Sequence, residues 1–85
     1  MNIKILYFAS LREALQTSEE ALELPADVTN VGQLRQLLVD RGSSWADSLA
    51  AERAVRVAVN QAVAEPDTAI SEGAEVAFFP PVTGG

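Results

Sequence analysis

With 85 residues the chain makes one domain, long enough for a single core but too short for a core that also encloses a pocket of ordinary enzyme size. Hydrophobic residues are 48% of the total and charged ones 21%, the balance of a folded domain rather than a disordered segment. A net charge of −6 disfavours nucleic acid, and the absence of cysteine and histidine removes disulfides, thiol nucleophiles, thiolate metal sites and the commonest general base.

Residues 2–9 alternate, with Ile3, Ile5 and Tyr7 on the face expected to meet the core and Lys4, Leu6 and Phe8 on the other, the period of a β-strand. Ser10 is a candidate cap for a short helical turn over 11–15, after which Glu19 to Leu24 reads as a second strand, with Ala21 or Leu22 and then Leu24 available for burial and Pro25 ending it. Two strands joined by a brief turn suggest an antiparallel pair. Thr29 or Asn30 begins the main helix, which carries Val31, Leu34, Leu37 and Leu38 at helical spacing, and Arg41-Gly42 is its expected stop.

Ser43 to Ala51 reads as a second short helical piece in which Trp45 and Leu49 share a face, with Trp45 a packing residue. Val55, Val57 and Val59 form the third strand, and Asn60-Gln61 is a tight turn into Ala62-Val63. Glu75 to Phe79 form the last strand, Val76 and Phe78 inward and Ala77 and Phe79 outward. Pro80-Pro81 forbid further ladder pairing and stiffen the start of the tail. A last strand laid beside the first requires the helix to cross over one face. The expected fold is therefore α+β, a β-grasp: a mixed sheet of about five strands with one main helix on one face and short helical turns. Residues 1–79 make this domain and 80–85 a flexible C-terminal tail ending in Gly-Gly.

Chemistry inside the domain is sparse. Glu19-Glu20, Asp67 and Glu72 read as solvated surface charges, and the glycines match neither a P-loop nor a dinucleotide fingerprint, so ATP would have to be held by a partner. No metal site is expected. Nothing resembles a signal peptide and no apolar run approaches a membrane span, so the expected location is a reducing cytoplasm. The acidic balance serves solubility or steers the protein to a basic partner surface, and charge alone does not choose.

The informative feature is positional. An aromatic strand end, two prolines and then Val82, Thr83, Gly84 and Gly85 present the last carboxyl with no side chain beside it, so the backbone can thread a narrow channel and a nucleophile can reach the Gly85 carboxyl carbon. The prolines lower the entropy lost when the tail is held extended by a partner. A carboxylate resists nucleophiles until its oxygen becomes a good leaving group, so activation as an acyl adenylate is the natural route.

Three segments then carry a family resemblance: Tyr7-Phe8-Ala9 with Arg12-Glu13, Val59-Asn60-Gln61, and above all Glu75-Val76-Ala77-Phe78-Phe79-Pro80-Pro81-Val82-Thr83-Gly84-Gly85. With these the chain resembles, over essentially its whole length, the small sulfur-carrying subunits of molybdopterin synthase, which are bacterial relatives of ubiquitin. Thiamine-pathway sulfur carriers also end in Gly-Gly, but the last string is closer to the molybdenum-cofactor branch; nothing diagnostic lies between 40 and 56.

The resemblance implies that an E1-like activating enzyme uses ATP to adenylate Gly85 and that a persulfide sulfur donor converts it to a thiocarboxylate. The tail, Pro80 to Gly85, then enters a channel in the large synthase subunit, whose active site uses the sulfur to build the molybdopterin dithiolene from cyclic pyranopterin monophosphate. The chain would bind no cofactor and be no enzyme by itself, but the donor subunit in an assembly of two large and two small subunits. Docking would use Leu6, Phe8 and Phe79 on the outward face with Val63 nearby, and Arg12, with Arg56, at the polar rim. Alternatives are a carrier for thiamine or another sulfur pathway, a ubiquitin-like modifier conjugated through Gly85, or a binding module for which Gly-Gly is incidental.

Overall fold

Alternation along β1 (Asn2–Tyr7) buries Ile3, Ile5 and Tyr7 on one side, and the two strands that flank it repeat the pattern. This computed structural model describes residues 1–81, and the expectations for Val82, Thr83, Gly84 and Gly85 lie outside the described residues. After α1 (Ala9–Leu15), β2 (Glu19–Glu23) returns antiparallel to β1, with Ile3 opposite Leu22 and Ile5 opposite Glu20. α2 (Val31–Val39) and α3 (Ser43–Leu49) precede β3 (Arg56–Val59) and its hairpin partner β4 (Ala62–Val63), and β5 (Glu75–Phe79) closes the described sheet.

The strand order is β2-β1-β5-β3-β4, with β5 parallel to β1 and antiparallel to β3, so the last strand sits at the centre beside the first. This is the mixed five-stranded α+β arrangement expected. Inward residues Ile5, Tyr7, Val57, Val76 and Phe78 form one core with Leu11 and Leu15 of α1, Val31, Leu34 and Leu38 of α2, and Leu49 of α3. Trp45 packs against that core as expected, edge-on to Tyr7 with ring centroids 5.4 Å apart.

Asn30, of the two candidates, caps α2. Its Oδ1 accepts from the Gln33 amide at 2.8 Å, while Gln33 Oε1 accepts from the Thr29 and Asn30 amides at 2.8 and 3.2 Å, a reciprocal capping box. The next two amides, of Val31 and Gly32, donate to the Thr68 and Pro66 carbonyls at 3.1 and 2.8 Å. The first turn of the helix is thus satisfied by the chain itself. A Cβ at position 32 would meet the Pro66 carbonyl oxygen at 3.2 Å, tight enough to explain glycine where this loop crosses the helix.

Three local expectations are corrected. Ser10 lies inside α1 and is not its cap: Phe8, still extended, takes that position, because its amide is held by the Phe78 carbonyl at 3.1 Å while its own carbonyl accepts from Leu11 and Arg12. The chain therefore leaves the sheet two residues sooner than the alternation suggested, with a sharp bend at Ala9, φ 52°. Arg41 does not complement the end of α2, which closes at Asp40; its guanidinium turns to Glu20, and Gly42, at φ 80°, starts α3. The Asn60-Gln61 turn does form, with positive φ at both residues (50° and 71°), the conformation of a tight two-residue hairpin that matches the sheet's twist.

Candidate functional site

The face of the sheet turned away from the helices carries a continuous apolar row set by register. Leu6 on β1 lies opposite Ala77 on β5, Ala77 opposite Ala58 on β3, and Ala58 opposite Val63 on β4. One rung further along β5, Phe79 faces Arg56. Phe8 comes directly after β1 at the same end of the sheet, tied to β5 through the Phe78 carbonyl. The four apolar residues expected at a docking surface thus share one face, Leu6, Phe8 and Phe79 around the last rungs of the two central strands and Val63 at the edge.

They are not equally open. Phe8 is 44% and Val63 68% exposed, whereas Leu6 and Phe79 are half-buried. The difference comes from position: Leu6 and Phe79 belong to strands with a neighbour on both sides, Val63 to the edge strand, and Phe8 lies beyond the last rung. Small Ala58 and Ala77 between them leave the middle of the row shallow.

Pro80 and Pro81 come directly after Phe79, both half-buried, and lacking an N–H they add no ladder bond at those positions. Pro80 lines a groove with Ser10 and Leu11 of α1, Ser48 of α3, and Arg53 and Ala54 of the loop before β3. Arg12, exposed on α1, has its amide directed at the Phe8 carbonyl, one helical turn from that ring. Arg53 carries no sequence signal, because it sits in a loop with no motif; only the fold brings it to the base of the tail.

Glu20 also departs from expectation. Strand parity puts it inward with Leu22 and Leu24, at the edge of the sheet, where a bare carboxylate would be costly. It accepts from the Tyr7 hydroxyl at 2.8 Å and from both terminal nitrogens of Arg41 at 2.8 and 3.0 Å, and that guanidinium lies over the Trp45 ring at 4.4 Å. The bonds from Arg41 hold the Glu20 carboxyl below its ordinary range, and burial, aided by Glu20, pushes the Tyr7 hydroxyl well above its own. Each group is fixed in the protonation state it already has at neutral pH, so Glu20 ties β2 to β1 through Tyr7 and to the turn between α2 and α3 through Arg41, and is not set up for proton transfer. Among the described residues no group of three or more acids is placed to hold a metal ion.

The site offers an apolar face, two prolines following the central strand at its rim, and exposed arginines nearby. Comparison with known proteins agrees with that geometry. The ThiS family model matches residues 5–85. The molybdopterin synthase sulfur carrier subunit of Escherichia coli is 43% identical over 98% of this chain and 99% of its own length, and that of Haemophilus influenzae 38% identical over 98% and 99%. The crystal structure of SAMP1 from Haloferax volcanii superposes with a TM-score of 0.79 at 26% identity, covering both chains completely. The chain therefore belongs to the ThiS family, among the molybdopterin synthase sulfur carrier subunits.

Proposed function

We propose that this protein carries sulfur on its C-terminal carboxyl and donates it within molybdopterin synthase. The observation that supports this best is the setting of Phe79-Pro80-Pro81: a central strand ends at the rim of a partly exposed apolar face and continues into prolines that cannot pair. Relatives named as sulfur carrier subunits match nearly end to end.

In the cycle, an oxygen of the Gly85 carboxylate attacks the α-phosphorus of ATP on an E1-like activating enzyme and expels pyrophosphate. The terminal sulfur of a persulfide then attacks the acyl carbon and expels AMP. A second thiol cleaves the remaining sulfur–sulfur bond and leaves the thiocarboxylate on Gly85. Gly84 and Gly85, without side chains, let the tail pass the narrowest part of each partner. Val82 and Thr83, with the two prolines, span the channel. The large synthase subunit supplies the catalytic pocket, with Phe8, Val63, Phe79 and Leu6 as the docking face and Arg12 at its rim. Two charged carriers deliver the two sulfurs of one dithiolene, in the cytoplasm. This chain binds no cofactor of its own.

The test is an intact mass after incubation with activating enzyme, ATP and a sulfur donor. The expected result is one oxygen-to-sulfur exchange confined to Gly85. An unchanged mass, under conditions that charge the Escherichia coli relative, contradicts the proposal.

A further inference from the structure

Six cations face twelve acids in this chain, and three of the six are occupied. Lys4 pairs with Glu19 at 3.1 Å and Arg41 with Glu20 at 2.8 Å. Arg35 donates to the Leu49, Ala50 and Arg53 carbonyls at 2.6, 2.6 and 2.9 Å, holding the end of α3 and the loop after it. Arg12, Arg53 and Arg56 remain, all exposed, with no side-chain hydrogen bond or ion pair among the described residues.

These three converge on one place. Arg56 lies opposite Phe79 in the β3–β5 ladder, Arg53 lines the same groove as Pro80, and Arg12 stands one turn after Phe8. Acids stand near them, Asp47 in the groove with Arg53, Glu65 in the pocket with Arg56, and Glu13 and Glu52 beside Arg12 and Arg53 in the chain, but none forms an ion pair with these arginines among the described residues. At the opposite end of the strands stand Glu23, Glu72 and Glu75, where β2 ends and β5 begins. A protein acidic overall thus turns its uncommitted cations toward the exit of its own tail.

We infer that Arg12, Arg53 and Arg56, each with an unpaired guanidinium among the described residues, form a collar that recognises carboxylates ringing the channel mouth of the partner that takes up the tail. This rests on the proposed delivery of the tail to the large synthase subunit. Arginine suits the task because its planar fork can hold a carboxylate with two parallel bonds and sheds water more readily than lysine. Arg12 and Arg56 flank Phe8 and Phe79, so charge and apolar contact are presented together. Since the net charge is −6, an approach by any other face meets an acidic rim with repulsion. The collar therefore orients the encounter before the tail threads, which is an effect on association rate more than on residence time.

The experiment measures association of the full chain with the large subunit of the same synthase by stopped flow, at several salt concentrations. The combined Arg12→Ala, Arg53→Ala, Arg56→Ala variant is expected to bind about tenfold more slowly at low salt with a smaller change in dissociation, the gap closing as salt rises. The combined Arg-to-Lys variant keeps the charge and is expected to retain most of the rate. Equal on-rates for wild type and the alanine variant at low salt overturn the collar while leaving the carrier function standing. Failure of the wild type to bind the large subunit overturns that function and the collar with it.

Discussion

The Tyr7 hydroxyl donates to Glu20 Oε2 at 2.8 Å, joining a fully packed ring of the first strand to a carboxylate on the edge strand. Tyr7 also stacks on Phe78 with centroids 6.0 Å apart, so the ring is held by apolar contacts and the hydroxyl by one charged acceptor. Tyr7→Phe keeps the packing and removes one bond, and should cost about 1 kcal/mol. Glu20→Ala leaves both the hydroxyl and the Arg41 guanidinium without their acceptor and should cost about 2–3 kcal/mol. In the Tyr7→Phe background the cost of Glu20→Ala should fall, a coupling that urea unfolding of the four proteins measures.

The same carboxylate sets a pH dependence whose sign is fixed. Arg41 holds the Glu20 pKa in the folded protein below its unfolded value, so the stabilisation is complete above the ordinary carboxylate range and is lost as pH falls through that range toward the folded pKa. The difference in Tm between wild type and Glu20→Gln should be largest at neutral pH and shrink on acidification. A difference that grows toward acid contradicts the assignment.

The capping box of the main helix is a separate element from the expected docking residues. Asn30→Ala removes the acceptor for the Gln33 amide and should lower stability by about 1 kcal/mol with an unchanged denaturant slope. Tail charging should be unaffected once the variant is folded.

Docking and folding should separate at Val63. It is 68% exposed on a two-residue edge strand, so Val63→Asp should change stability by no more than about 0.5 kcal/mol. Binding to the large subunit should weaken by roughly tenfold or more, because the new carboxylate is desolvated in an apolar contact. Calorimetric titration alongside a melting curve reads both. A normal affinity would place the docking surface elsewhere.

Most of the fold is legible in the sequence because period and chemistry agree. Ile3, Ile5 and Tyr7 alternate without exception, Val55-Val57-Val59 do the same, and Asn60 supplies a turn residue that tolerates positive φ. Legibility fails where long-range contact decides. Ser10 is a good cap by type, yet the bond between Phe8 and Phe78 fixes the cap of α1 two residues before it. Glu20 has the look of a surface charge because Ala21 and Leu22 leave the parity of β2 open; pairing of Ile3 with Leu22 settles it and turns Glu20 inward. Arg41 matches a helix-end pattern, but a carboxylate and the Trp45 face outcompete the diffuse field of a short helix. The outward apolar face of Leu6, Phe8 and Phe79 is legible from parity, and its uneven exposure is not, since that depends on which strands have two neighbours.

The central claim is that sulfur leaves this chain from Gly85 for a pterin held by another subunit, and a single-turnover transfer tests it most directly. Thiocarboxylated protein is mixed with the large subunit and cyclic pyranopterin monophosphate, and the intact mass of this chain is tracked against dithiolene formed. The account predicts that the sulfur-bearing mass reverts to the carboxylate form as product appears, with two chains discharged per dithiolene. Product formed while the chain keeps its sulfur, or a discharged chain with no dithiolene, contradicts it.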